Sequence, residues 1–428
     1  MSIIEELMNF LDQSPTNFHA QAQARAHLED AGFQELKKSE AWELKEGGAY
    51  YVSNQEGALL AFRLGSLKEE DFHFRLVASH GDSPTFKIKP SSEMKDKEGY
   101  VRLNTEVYGG PILSTWFDRP LSIAGQVWVK EGEGMASHLV KFDRDLLTIP
   151  SLAIHMNREV NEGYKFNPQK DTLPLLAMGQ EGEEGFLEGL LAQELGVDQE
   201  DILDFDLFLY NRDKASRLGL RGDFISSGRL DNLSMGFLSL KALIDSPAGP
   251  GTCGVILYDH EEVGSESRVG AGGPFIRDSL ERIASFAQGQ AAFYRGMDRS
   301  FMISADLTHG LHPNYRDKAD PTNAPVLNGG PAIKQAASKS YASDAYSASF
   351  FRLLCQEAGV PVQSFSNRSD IRGGSTIGPI SLGQLDIAMV DIGNPTLAMH
   401  SARELVGAQD QEALYKVFLH FYGRKTIG

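Results

Sequence analysis

Ile4, Leu7, Phe10 and Leu11 recur at helical spacing, and a second periodic stretch from Phe18 to Leu28 ends near Gly32, so the first 45 residues read as helix. Tyr50 to Val52 and Leu59 to Leu64 read as paired strands. After Lys89-Pro90 the pattern changes: a charged and polar stretch, Ser91 to Glu98, leads into short β-prone runs separated by turn residues. Within it, Gln126-Val-Trp-Val129 and His138-Leu-Val-Lys-Phe142 flank Glu-Gly-Glu-Gly and predict a hairpin with a longer loop. A second shift near Arg217-Leu-Gly-Leu-Arg-Gly222 begins a run in which strands alternate with helical patterns to the end of the chain. The pattern predicts an α/β domain, residues 1–90 and 223–428, interrupted by an inserted strand-rich domain at 91–222. There are no internal repeats or low-complexity segments.

A chain of 428 residues exceeds what one hydrophobic core usually serves, in keeping with two domains, and 41% hydrophobic residues can fill both. The formal charge of −17 argues against nucleic acid or an anionic membrane surface as partner, since both reward Lys and Arg. An acidic substrate would need a local cation. Only Cys253 and Cys355 are present, Cys253 in an apolar run, which predicts reduced, buried thiols and a reducing compartment. The N-terminal stretch carries acids where a signal peptide is basic, and no apolar run reaches 18 residues; the expected location is the cytoplasm.

Metal-competent side chains follow apolar strands repeatedly. Phe74-Arg-Leu-Val-Ala78 precedes His80-Gly-Asp82, Val255-Ile-Leu-Tyr258 precedes Asp259-His-Glu261-Glu262, and Phe301-Met-Ile-Ser304 precedes Asp306-Leu-Thr-His309. Ile387-Ala-Met-Val390 leads through Gly393-Asn-Pro395 to Met399-His400. In parallel α/β sheets the loops at the carboxyl ends of strands converge on one edge. A fifth cluster precedes a helix: Leu233, Phe237, Leu240 and Ile244 share one face, which places Asp231 at the helix start, where it can cap the helix and present its second oxygen to a site.

Singly, each piece has a plainer reading. A lone His-x-Asp is more often a hydrogen-bonded pair, Asp231 alone an N-cap, and Glu261-Glu262 a solvated acidic pair. Together they would repel at a shared sheet edge unless cations were bound. Histidine and carboxylate without cysteine suit Zn²⁺, Mn²⁺ or Co²⁺ at an open catalytic site, and a bridging carboxylate would let two ions activate one water. Of two adjacent glutamates, one can coordinate while the other acts as general base.

Taken in order, these clusters resemble the aspartyl aminopeptidase family of metallopeptidases. The resemblance runs from Phe10-Leu-Asp-Gln-Ser-Pro15 through His80-Gly-Asp-Ser-Pro84, Ile149-Pro-Ser-Leu-Ala-Ile-His155, Arg229-Leu-Asp-Asn-Leu233 and Glu261-Glu-Val-Gly-Ser265 to Met399-His-Ser-Ala-Arg-Glu404. It implies a metallopeptidase-type central β-sheet flanked by helices, an insertion that serves dimerisation, and release of N-terminal Asp or Glu from short peptides. It further implies that Asp231 bridges two divalent ions, zinc foremost, with His80 and Glu262 completing one and Asp306 and His400 the other. Glu261 would be the general base and Asp82 the orienter of His80. Lys334 and Tyr341 match the family's substrate-binding residues, and His309 joins them as a candidate substrate contact. His155 resembles a histidine that reaches a neighbouring subunit's site to steady the oxyanion, within a homo-oligomer that in this family is commonly a tetrahedral dodecamer. Two positions depart from the family pattern: Gly81 stands where threonine is usual, and His260 where asparagine is usual.

Two other functions fit parts of this pattern. A broad-specificity aminopeptidase or deacylase would use the same metal residues. A non-catalytic assembly protein with structural metals would have no need of a free Glu261 beside a ligand.

Overall fold

In the computed structural model, which describes every residue except 55, 56, 181, 182, 290, 372, 425, 427 and 428, the most apolar runs pair as a nine-stranded sheet. Its centre is parallel, in the order Thr252–Tyr258, Phe74–His80, Phe301–Ala305 and Ala388–Gly393. Continuous apolar runs suit strands covered on both faces. Phe74, Leu76 and Ala78 pack on one side with the helices Phe275–Ala284, Ala292–Asp298 and Ile377–Leu382. Val77 faces the other side, with Ile3–Gln13, Leu230–Asp245, Ala345–Glu357 and Ala408–Gly423. The expected strands near Tyr50 and Leu59 are Ala49–Asn54 and Ala58–Arg63, paired antiparallel at one side of this core.

The N-terminal helices are Ile3–Gln13 and Asn17–Asp30, each capped by a hydroxyl, Ser2 or Thr16. The expectation of helix as far as residue 45 does not hold. Gly32 takes φ +80, which ends the helix, and Gln34–Glu35 pairs with the edge of the sheet.

A second, six-stranded sheet is antiparallel and uses strands between Thr85 and Asn211, among them the expected hairpin as Leu121–Glu131 and Gly134–Lys141. Its first strand, Thr85–Lys95, crosses the boundary expected at 91, because a register shift between Ile88 and Glu93 accommodates Pro90. At the other boundary, Ser216–Leu218 pairs with Phe224–Ser227 in a third sheet, which also contains Glu404–Gly407, Pro395–Leu397 and Thr308–His309. The loop that carries His400 joins two strands of this sheet, Pro395–Leu397 and Glu404–Gly407.

Gly393 ends the fourth parallel strand where a Cβ would stand 2.0 Å from the Asp306 carbonyl oxygen, so only glycine lets the two strand ends approach. Gly393→Ala should lower stability by about 1–3 kcal/mol through overpacking. Gly189 lies inside a helix with open space around it, and Gly189→Ala should stabilise by about 0.5–1 kcal/mol. Urea unfolding of the two full-length variants should show midpoints displaced in opposite directions.

Candidate metal centre

The register of the parallel strands brings their carboxyl ends to one edge: His80 lies beside Tyr258, and Ala305 beside Ile392. His80 closes its strand, Glu261 and Glu262 follow in a short 3-10 turn, and Asp306 comes directly after Ala305. His400 arrives from the small third sheet with φ +66. Asp231 is buried at the start of Leu230–Asp245.

The expected capping by Asp231 is not what the structure has. Asp231 and Asn232 take non-helical dihedrals and no side chain caps the helix; the Asp231 carboxylate instead faces the sheet edge. His80 Nε2 lies 3.5 Å from Asp231 Oδ1 and 3.6 Å from Asp306 Oδ1. His400 Nε2 lies 3.8 Å from Asp231 Oδ2 and 3.5 Å from Glu262 Oε2. Among the described residues, Asp231 is thus the one carboxylate within 4 Å of both imidazole Nε2 atoms. His80, Asp231 and Glu262 offer ligand atoms within 4.8 Å of one another, yet apart from the shared Asp231 the carboxylate within 4 Å of the His80 Nε2 is Asp306 and that within 4 Å of the His400 Nε2 is Glu262, among the described residues.

The residues fit a cation on their own terms. His80 Nε2, Asp231 Oδ1 and Glu262 Oε1 are buried without a hydrogen-bond partner among the described residues, an expensive state for three groups aimed at one space. Burial, with Asp231 adding to it, holds the Glu262 carboxyl well above the usual carboxylate range. Burial also pushes Glu261 up to about 8; Asp306, Asp231 and Asp82 reinforce the rise against the pull of His80. Carboxylates crowded in this way become fully ionised when positive charge joins them.

Asp82 does more than was expected of it. Its Oδ1 lies 3.3 Å from His80 Nδ1, which is slightly closer, at 3.1 Å, to the Asp82 main-chain carbonyl. The same carboxylate accepts the backbone N–H groups of Glu261 and Glu262, each at 3.1 Å, so one side chain orients a histidine and both glutamates. Glu261 makes no side-chain hydrogen bond or ion pair among the described residues, and this leaves its carboxylate available for proton transfer.

Lys334 is buried, with Nζ 3.1 Å from Asp306 Oδ2 and 5.7 Å from the centre of the buried Tyr341 ring. Burial would lower the lysine pKa, but Asp306, Tyr341 and Asp391 overcome it and keep the ammonium charged. His309 is exposed, packs edge-on to Phe365 and borders a cavity of about 240 Å³ that also touches His312, Lys318 and Arg368. His155 lies apart, exposed in a turn between the strands Gly134–Lys141 and Leu175–Met178, with no hydrogen bond or ion pair to this cluster among the described residues. His260 turns toward Ser267, whose Oγ lies 2.8 Å from its Nδ1. A Cβ at Gly81 would make only ordinary contacts at 3.8 Å, so nothing in the packing demands glycine there.

The family profile described as aminopeptidase I zinc metalloprotease (M18) matches residues 10–422. The chain belongs to the M18 family of zinc aminopeptidases. It is 48% identical over 423 residues to a probable M18 family aminopeptidase 2 of Clostridium novyi, covering 97% of this chain and 98% of that one. A probable M18 family aminopeptidase 2 of Ectopseudomonas mendocina is 44% identical over 429 residues, covering 99% of each. Among solved structures, Ape4 in complex with Nbr1 superposes with a TM-score of 0.95 at 35% identity, over 98% of this chain and 85% of that one. The S. cerevisiae mApe1 dodecamer superposes at 0.86 with 26% identity, over 98% and 96%. This M18 enzyme is a metal-using hydrolase with the mixed α/β fold of those structures, and no described helix is long and apolar enough to cross a membrane.

Sequence reasoning missed Glu404. Its buried carboxylate accepts the backbone N–H of Asp231 at 3.0 Å and of His400 at 2.8 Å, tying two cluster residues to one anchor. A carboxylate four residues after a candidate ligand histidine was the available signal. Glu404→Gln offers only one acceptor oxygen to these two amides, and zinc content after dialysis should fall, with affinity weaker by roughly 10-fold or more; metal analysis of the full-length variant measures it.

Proposed function

We propose that this M18 aminopeptidase removes Asp and Glu from the N-termini of short peptides, with Asp231 shared between two divalent ions. The side-chain approaches favour His80 and Asp306 at one ion and His400 and Glu262 at the other, a division different from the one the resemblance implied. The donor set suits zinc, with Mn²⁺ and Co²⁺ as alternatives. Ions bound there would supply a Lewis acid for the scissile carbonyl and acidify a water held between them. Glu261 takes the proton from the attacking water and returns it to the leaving amine, so no net proton is consumed; its free carboxylate beside Glu262 is the observation that carries this reading.

Preference for acidic residues is supported by buried Lys334 in a chain of net charge −17, with Lys318 at the neighbouring cavity, where Arg368 is itself held by Asp370. One observation favours broader specificity instead, since the Lys334 charge is engaged by Asp306. Matched Asp, Glu, Ala, Leu and Lys aminoacyl substrates, tested with chelator and with metal restored, separate the two. Chelator-sensitive cleavage confined to Asp and Glu is expected, and in metal-saturated enzyme Lys334→Ala should lower kcat/KM for Asp and Glu far more than for Ala. Equal losses on all substrates would remove Lys334 from selectivity.

The homo-oligomer proposed for this chain rests on its similarity to a dodecameric enzyme and on the turn that carries His155, where Leu152, Ile154 and Met156 are 55%, 47% and 73% exposed. Such apolar exposure is costly in water and is removed when a second copy covers it. In that assembly His155 serves the neighbour's site. Glu261→Gln should keep metal and lose about 10²- to 10⁴-fold in turnover. His155→Ala should also be impaired, and co-expressed with Glu261→Gln it should recover part of the activity, because some sites then hold both intact groups; no recovery in mixed assemblies would show that His155 does not serve a neighbour's site.

A further inference from the structure

The strand Tyr100–Tyr108 of the inserted sheet runs straight into the candidate metal centre. Tyr108 donates its hydroxyl to Asp82 Oδ2 at 2.8 Å, the carboxylate that also holds the amides of Glu261 and Glu262. Gly109, at φ +69, lies so close to Glu262 that a Cβ would stand 3.1 Å from the glutamate Cβ and 3.4 Å from its Oε2. The Gly110 carbonyl oxygen lies 3.0 Å from His400 Nδ1, a distance at which the ring donates to it, leaving Nε2 toward Asp231 and Glu262. Two residues on, the Ile112 N–H donates to the His400 carbonyl at 2.9 Å. Three consecutive residues from one domain therefore touch Asp82, Glu262 and His400, one support and two candidate ligands of a site whose candidate ligands all come from the other. The tyrosine is itself held, its ring edge-on to Phe208 at 5.6 Å.

We propose that Tyr108-Gly109-Gly110 is a positioning strap through which the inserted domain sets the metal affinity of the catalytic domain. This rests on the reading of His80, Asp231, Glu262, Asp306 and His400 as metal ligands. Partners of this kind fix ring orientation and carboxylate direction, and losing one weakens metal binding by roughly 10- to 100-fold. Tyr108 touches neither metal nor substrate and acts through Asp82. Gly109 acts by leaving room for Glu262, and Gly110 by accepting from His400.

The test is competition for Zn²⁺ between the full-length protein and a chromophoric chelator, for the wild type, Tyr108→Phe and Gly109→Ala. Tyr108→Phe removes one hydroxyl and leaves Asp82 its two amide donors. It should release zinc at a free-metal concentration roughly 10-fold higher than the wild type, and excess Zn²⁺ should restore its kcat. Gly109→Ala presses on Glu262 from the same strap and should shift the same competition even if Tyr108→Phe folds poorly. Wild-type competition curves in the variants that fold would overturn the strap. So would a loss of activity in Tyr108→Phe that saturating Zn²⁺ fails to restore. A wild-type protein that binds no zinc would overturn the ligand reading itself.

Discussion

Several carboxylates and two imidazoles share one buried edge of a parallel sheet, and the mutual repulsion of those carboxylates is the constraint around which the rest is arranged. Asp231, Glu261, Glu262 and Asp306 cannot all ionise in so dry a place without compensating charge, and burial raises Glu261 and Glu262 accordingly. The fold answers with fixed donors. Asp82 is tied by Tyr108 and by two backbone amides, Glu404 by two more, and Lys334 stands against Asp306. What remains unsatisfied is one histidine nitrogen and two carboxylate oxygens pointing into the same space, and a divalent cation is the group that suits them.

Each layer of the molecule contributes to that edge. The parallel strands deliver His80, the two glutamates and Asp306 in register. The third sheet carries the chain from Pro395–Leu397 to Glu404–Gly407, and the intervening turn presents His400 while returning Glu404 beneath it. The inserted sheet reaches back through Tyr108 to Ile112, and Thr115 accepts the Ala402 N–H at 2.9 Å.

Lys334 illustrates how a local charge can oppose the global one. The chain is strongly acidic, yet this ammonium is retained in the interior because Asp306 pays for its desolvation. Its position beside Tyr341 puts a cation at the site's border rather than on the surface.

The sequence by itself determined which side chains could meet. Apolar runs of strand length, each followed by His80, Glu261-Glu262 or Asp306, carry their placement in local order, because a parallel sheet sends every such loop to the same edge. Family motifs in the same order added the roles. Only the tertiary structure decided which side chains of the cluster approach one another, that Asp231 faces the cluster rather than capping its helix, and that Asp82, Glu404 and Tyr108 hold it. The reason is separation along the chain: Glu404 meets Asp231 across 173 positions and Gly110 meets His400 across 290, and no periodicity read over a dozen residues encodes a contact of that range. The boundary expected after Pro90 falls within a strand for a related reason, since a proline that reads locally as a break is absorbed by a register shift once a partner strand lies beside it.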